Sequence, residues 1–288
     1  MAAKRTRRRG RRLRGLVALL ALVVAGVWFF RFQQDAIQTQ TVEVTSSALP
    51  RAFDGLRIVQ ISDLHGKQFG GENEKLLAAV AALEPDLIAI TGDLVDREEQ
   101  MDQIPALARA LADMAPTYYV TGNHEWGIRQ AKEIKALLEE NGVTPLTNEY
   151  VLLEREGQAI ALAGVDDPNG LAGQKTGDEL RSEIAAAEGE IYTLLLSHRD
   201  TVETYAGWDY DLVLCGHGHG GIFRIPILDK GLLSTDRTLF PDYDGGLYSL
   251  GGEQFCFVSR GLGSNTVPIR AFRLFNRPDL PVIILHTK

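Results

Sequence analysis

Leu56-Arg-Ile-Val-Gln-Ile-Ser-Asp-Leu-His65 is an apolar run that stops on a carboxylate and an imidazole. Its side chains suit a buried strand. Two later runs end in the same way. Asp86-Leu-Ile-Ala-Ile90 leads to Gly92-Asp93, and Thr117-Tyr-Tyr-Val120 leads to Gly122-Asn-His-Glu125. Helical patterns separate them. Residues 72–84 place Leu76, Leu77, Val80 and Leu83 on one face before Pro85, and residues 105–114 align Leu107, Leu111 and Met114. A third helix is expected over 133–141, with Gly142 as its stop signal. Asp63, Asp93 and Asn123 are each 30 residues apart, the length of a βαβ unit, ~30 residues. The rhythm predicts a parallel sheet with three polar residues at the carboxyl ends of its strands, where α/β sheets bind ligands.

The second half has less regular spacing. Residues 150–153 and 159–163 read as a hairpin around Arg155-Glu-Gly157, and residues 178–187 as a helix. Tyr192-Thr-Leu-Leu-Leu196 is a buried strand ending at Ser197-His198. Leu212-Val-Leu-Cys215 runs into the turn Gly216-His-Gly-His-Gly-Gly221. A long loop, 221–247, is rich in apolar residues, and strands are expected near Phe255, over 270–275 and over 281–285. Residues 39–45 alternate weakly and predict an edge strand. Residues 33–37 read as a short polar linker. No clear boundary falls between 50 and 288, and residues 33–288 read as one α/β domain of two sheets with helices outside.

The charge is uneven. Residues 1–14 hold eight Lys and Arg and no acid. Taking those from 30 Lys+Arg leaves 22 against 38 Asp+Glu, a formal −16 for the rest. Such a body lacks the basic face that a nucleic-acid backbone requires, so no nucleic-acid partner is expected. Residues 15–30, GLVALLALVVAGVWFF, carry no charge, and Leu13, Phe32 and the stems of Arg14 and Arg31 lengthen the run. No domain is at hand to bury a helix that is apolar all round. It reads as a membrane-spanning signal anchor over 15–32 behind a basic cytoplasmic tail, 1–14, with a cleaved signal peptide as the alternative. The basic end then stays inside, and residues 33–288 lie outside the cytoplasm. If the segment is cleaved, the domain is secreted. Cys215 lies in an apolar run and reads as a buried free thiol, although one disulfide with Cys256 remains open in an exported protein.

Five of the six histidines, His65, His124, His198, His217 and His219, lie at strand ends rich in Gly or acids. His286 reads as structural. With Asp63, Asp93 and Asn123 the five form an oxygen and nitrogen donor set without thiolate, suited to Mn, Fe, Zn or Mg. A polar turn with solvated histidines is the alternative for His217 and His219 alone.

These blocks, Asp63-Leu-His65, Gly92-Asp93-Leu-Val-Asp96, Gly122-Asn123-His124-Glu125, Ser197-His198 and Gly216-His217-Gly-His219, resemble the calcineurin-like metallophosphoesterase signature. Val59-Gln-Ile-Ser-Asp-Leu-His65, Gly218-His-Gly-Gly221 and Ser259-Arg-Gly-Leu-Gly263 resemble its membrane-associated or exported YkuE/YaeI-like branch more narrowly. The resemblance implies a four-layer α/β/β/α sandwich and a phosphoester hydrolase using two divalent metal ions. It implies that Asp63, His65 and His219 hold one metal, that Asn123, His198 and His217 hold the other, and that Asp93 bridges them. It gives His124 the leaving oxygen. Asp96 orients His124 or a metal ligand, or stands solvated, Trp126 stacks on a base or sugar or packs, and Arg97 and Arg199 contact phosphate or water.

The branch implies cleavage of a diester or pyrophosphate in a membrane-derived substrate, such as a UDP-2,3-diacylglucosamine-like nucleotide lipid or a phospholipid headgroup. The loop 221–247 then offers an acyl-chain groove, or else packs over the second sheet. An external site would not meet cytoplasmic nucleotide lipids, so orientation and that substrate conflict. Phosphomonoesterase activity, a tethered non-catalytic module and a nuclease are the alternatives. Relatives in this branch often carry Thr between the two histidines and Gln after the glycines. This chain has Gly218 and Ile222 there, so substrate contacts through such a Thr or Gln do not carry over.

Overall fold

The computed structural model describes residues 2–235, 237–264 and 272–288. Helix α1, Ala2–Asp35, precedes two six-stranded sheets and joins the domain at its carboxyl end. The elements that follow are β1 (Gln38–Ser46), β2 (Arg57–Ile61), α2 (Glu74–Ala82), β3 (Leu87–Thr91), α3 (Ile104–Ala112), β4 (Thr117–Val120), α4 (Asn123–Gly127), α5 (Ala131–Glu140) and β5 (Val143–Pro145). Next come β6 (Glu149–Arg155), β7 (Gln158–Gly164), α6 (Gly177–Glu188), β8 (Thr193–Leu196), α7 (Val202–Tyr205), β9 (Leu212–Cys215), the short pair β10 (Arg224–Ile225) and β11 (Lys230–Gly231), β12 (Gly246–Gly251), β13 (Gln254–Val258) and β14 (Asp279–Thr287).

The first sheet has the order β1-β14-β2-β3-β4-β5, with β2 to β5 parallel and β14 antiparallel to β2. The second has the order β12-β13-β9-β8-β7-β6, with β7, β8, β9 and β13 parallel. Parallel strands need both faces covered, and three apolar layers cover them. Ile58, Ala89, Val120 and Ile283 of the first sheet meet Leu162, Leu194, Leu214 and Phe257 of the second. The outer face of the first sheet packs Val59, Ile61, Ile88 and Tyr119 on Leu76, Val80, Leu107, Leu111, Ile134 and Leu138 of its helices. Ala163, Leu195, Val213 and Val258 pack on Leu180, Ile184, Val202 and Tyr205 beyond the second sheet. This is the expected four-layer sandwich. Gln60 ties the sheets together: its Nε2 donates to Thr91 Oγ1 and to Cys215 O, each at 2.9 Å. Cys215 and Cys256 are buried free thiols, with sulfurs 3.6 Å apart.

Two expectations need correction. Residues 33–37 read as a polar linker in the sequence, but α1 continues to Asp35. Gln34 stabilises that last turn, because its amide exchanges two hydrogen bonds with the Arg273 backbone, at 2.6 and 2.9 Å. The helix already runs through the basic stretch from Ala2. Of the strand expected over 270–275, residues 270–271 lie outside the described residues. Residues 272–275 make only a single bridge, Leu274 to Phe223. Their apolar side chains answer to tertiary neighbours instead, with Phe272 set against Phe30 and Phe223.

Candidate active site

Each predicted site residue sits just past a strand of one sheet or the other. Asp63 and His65 follow β2, Asp93 and Asp96 follow β3, and Asn123 and His124 open α4 after β4. His198 follows β8, and His217 and His219 follow β9. The chain turns sharply at five of them. Asp63, His65, Asp93, His217 and His219 all have φ between 50° and 71°. Left-handed backbone costs a residue with a Cβ of order 1–3 kcal/mol and gathers at functional sites.

The eight residues named for the site converge. His65 Nε2 lies 3.0 Å from His219 Nε2 and 4.0 Å from Asp63 Oδ1, and His219 Nε2 is 3.7 Å from that same oxygen. His198 Nε2 lies 3.1 Å from Asn123 Oδ1 and 3.2 Å from His217 Nδ1. Asp93 stands between these groups. Its Oδ2 is 3.8 Å from His65 Nε2, 3.3 Å from His198 Nε2 and 3.9 Å from His124 Nε2. Burial pushes the Asp93 carboxyl up, but the His198, His65 and His124 imidazoles outweigh it and hold it well below the ordinary range. Burial, then positive neighbours, keeps His217 and His219 well below the usual imidazole value, hence neutral and able to donate a lone pair. At His198 burial lowers the pKa, yet Asp93 lifts it to about 10. The field that favours a proton there favours a divalent cation equally well.

The donor set fits metal ions. Asp63, His65 and His219 offer three ligand atoms within 4.8 Å of one another, and so do Asp93, His198 and His217. Glycines let the backbone close around these groups. A Cβ on Gly122 would stand 2.1 Å from Asp93 Oδ1, and one on Gly216 would stand 2.4 Å from Asp63 Oδ2. Gly122 has an ordinary extended backbone, so closeness and not φ demands glycine. Gly122→Ala is therefore expected to displace Asp93, lower bound metal per chain and cost about 1–3 kcal/mol of stability by overpacking. Elemental analysis and denaturant unfolding check this.

Several supporting groups had little signal in the sequence. Asp96, left open there, is buried. Its Oδ1 accepts from His65 Nδ1 at 2.5 Å and from His124 Nδ1 at 2.8 Å. Burial raises its carboxyl, but these two hydrogen bonds pull it down to about 2. For His124, burial lowers the imidazole and the Asp96 hydrogen bond more than restores it, so its pKa is raised. Glu125 is fully buried. It accepts from the Gly122, Leu94 and Asp93 amides at 2.8, 2.6 and 3.1 Å and so ties two ligand loops together. Burial and then Asp93 push it up to about 7. Its position three residues after Gly122 is a helix-start signature that could have identified it.

Arg199 pairs bidentately with buried Asp167 and reaches His217 Nε2 at 3.1 Å, and Arg273 Nη2 stands 3.3 Å from His219 Nδ1. Arg97 is exposed. Trp126 is half-buried, with its Nε1 donating to Thr121 and Lys135 over its ring. In the loop 221–247 neither expected arrangement holds throughout. Ile222 is buried, but Ile227, Leu228, Leu239 and Phe240 are exposed.

The chain belongs to the calcineurin-like phosphoesterase family, whose model matches residues 56–221. The family is one of phosphoesterases that use metal ions. A transmembrane protein with metallophosphoesterase domain from Bos taurus is 32% identical over 286 residues, covering 94% of this chain. The chain spans only 62% of that bovine protein's length. The uncharacterized metallophosphoesterase YkuE of Bacillus subtilis is 26% identical over 95% of this chain and 94% of its own. The phosphodiesterase YaeI of Escherichia coli is 29% identical over 80% of this chain and 82% of its own. Arg12–Asp35 is long and apolar enough to cross a membrane, and its most apolar stretch is not buried against the domain.

Proposed function

We propose that the chain is a two-metal phosphodiesterase acting on a diester in a membrane-lipid headgroup. One observation carries the reading: Asp93 Oδ2 faces His65 Nε2 at 3.8 Å and His198 Nε2 at 3.3 Å, so one carboxylate serves both groups of donors. Asp63, His65 and His219 would hold one ion, Asn123, His198 and His217 the second, and Asp93 would bridge them. Bound divalent ions supply Lewis-acid stabilisation of the phosphoryl oxygens and acidify the attacking water. The chain's own residues do the rest. Asp96 fixes the rings of His65 and His124 through Nδ1. His124, held by Asp96, whose hydrogen bond raises its pKa, would turn Nε2 toward the leaving oxygen and give it a proton. Glu125 locks the Asp93 and Asn123 loops against each other.

The diester preference rests on the name of the Escherichia coli relative, a phosphodiesterase. The lipid source rests on α1 as a membrane anchor and on the bovine relative's name as a transmembrane protein. Eight basic residues in 1–14 keep that end inside, so residues 33–288 work outside the cytoplasm. A headgroup diester at that face fits this orientation better than a UDP-linked lipid. The full chain, stripped and reloaded with manganese, tests the reading. Hydrolysis of bis-p-nitrophenyl phosphate should exceed that of p-nitrophenyl phosphate and vanish in Asn123→Ala. Preference for the monoester would overturn the diester assignment, and activity retained by Asn123→Ala would overturn the metal assignment.

A further inference from the structure

The sheets place the metal centre next to an apolar edge that the proposed chemistry does not use. Past His219 the chain leaves the second sheet for β10 and β11. The turn between them exposes Ile227 by 94% and Leu228 by 68%. A second excursion exposes Leu239 by 64% and Phe240 by 50%. These tips belong to one layer. Leu232 N donates to Phe223 O at 2.7 Å, Phe240 N to Leu232 O at 3.1 Å, and Arg224 N to Leu274 O at 3.1 Å. Buried Arg224 braces the layer from behind, donating to Asp229 Oδ1 at 3.0 Å and to the Asp244 and Gly220 carbonyls at 2.8 and 3.2 Å. Four large apolar side chains exposed on one hydrogen-bonded layer are more than scattered surface residues and suit an interaction site.

The same layer runs into α1. Phe29 meets Phe275 at 5.7 Å between ring centroids, and Phe30 meets Phe272 at 5.9 Å. Phe272 in turn meets Phe223 at 5.5 Å. Polar contacts seat the helix end. Gln34 is bonded to the Arg273 backbone, Lys67 reaches Gln34 O and pairs with Asp35, and Arg277 caps the Ala36 and Ile37 carbonyls at 3.0 Å. Arg277 also lies over the Phe32 ring. Trp28, Phe29, Phe30 and Phe32 are where an interfacial aromatic belt falls. A bilayer spanned by α1 therefore ends at the depth of this layer. Gln34 lies four positions after Phe30, about 6 Å of helix rise. From Gln34 one residue, Arg273, leads to His219.

We propose that Ile227, Leu228, Leu239 and Phe240 dip into the bilayer that α1 spans and hold the His219 side of the metal centre at headgroup level. The inference rests on the reading of α1 as a membrane anchor. It makes the domain a reader of lipid substrate from the membrane plane, with no need for the lipid to leave it. Apolar tips beside a tether are how interfacial elements add depth to an anchor.

Spin labels on the full chain in phosphatidylcholine nanodiscs test it. The two native cysteines are buried, so a label reports a single introduced cysteine. Leu228→Cys and Phe240→Cys probe the tips, Leu20→Cys probes α1, and Leu171→Cys on an exposed loop is the aqueous reference. Hydrolysis of bis-p-nitrophenyl phosphate by each labelled protein reports an intact fold. The expected result is a several-fold higher ratio of oxygen to nickel-chelate accessibility at 20, 228 and 240 than at 171. Labels at 228 and 240 that match 171 while 20 lies in lipid would overturn the insertion and leave the anchor standing. A label at 20 that also matches 171 would overturn both.

Discussion

Asp93→Asn is expected to lower metal-dependent diester hydrolysis by about three orders of magnitude without unfolding the domain. Asp93 has two tasks, and the substitution separates them. Its Oδ1 accepts the His124 backbone amide at 2.9 Å, which starts α4. An asparagine oxygen can keep that bond, and the side chain keeps its volume under Gly122. The second task is charge. Oδ2 faces three imidazoles, and in the proposed centre it serves both ions. An amide offers one neutral oxygen and cannot bridge while also holding the helix. Lewis-acid stabilisation is worth several kcal/mol, and each 1.36 kcal/mol is tenfold in rate. Elemental analysis should find metal reduced in the variant, while circular dichroism should match the parent. Activity within tenfold of the parent would remove Asp93 from the centre.

The sequence shows why some of this site is legible and some is not. Parallel strands buried on both faces read as unbroken apolar runs, so the ends at Asp63, Asp93 and Asn123 stand out, and the 30-residue spacing orders them. His198 and the turn at His217 follow equally apolar strands. Helix α4 had no such signal, because Asn123–Gly127 is too short for a stripe. Strand β5 is three residues long. The pairing of β1 with β14 joins the two ends of the chain, and no local pattern encodes it. Phe272 and Leu274 alternate like a strand, yet Phe272 belongs to the seat of α1. Glu125 illustrates a different limit. Charged residues are rarely fully buried without partners, and two of its three partners are backbone amides from a loop about 30 residues earlier. Arg273 sits beside His219 through a fold contact with no spacing to betray it.

The shared oxygen of Asp96 supports the second large effect. His124→Gln should slow diesters with alkoxide leaving groups by ~10²–10⁴, the usual worth of a general acid. It should slow p-nitrophenyl diesters far less, since nitrophenolate departs without a proton. Asp96→Asn then discriminates between two ways of acting. Asp96 Oδ1 contacts His65 Nδ1 and His124 Nδ1, and loss of a group that orients a ligand typically costs about 10–100-fold. If its main work is on His65, the loss should be the same for every leaving group and should come with weaker metal retention. If its main work is on His124, the loss should grow as the leaving group becomes more basic, and Asp96→Asn in a His124→Gln background should add little. The geometry favours the second outcome for rate. Orientation by Asp96 decides whether Nε2 can reach a leaving oxygen, whereas His65 is also confined by its stacked contact with His219 at 4.8 Å. A flat leaving-group dependence in both variants would take the proton transfer away from His124.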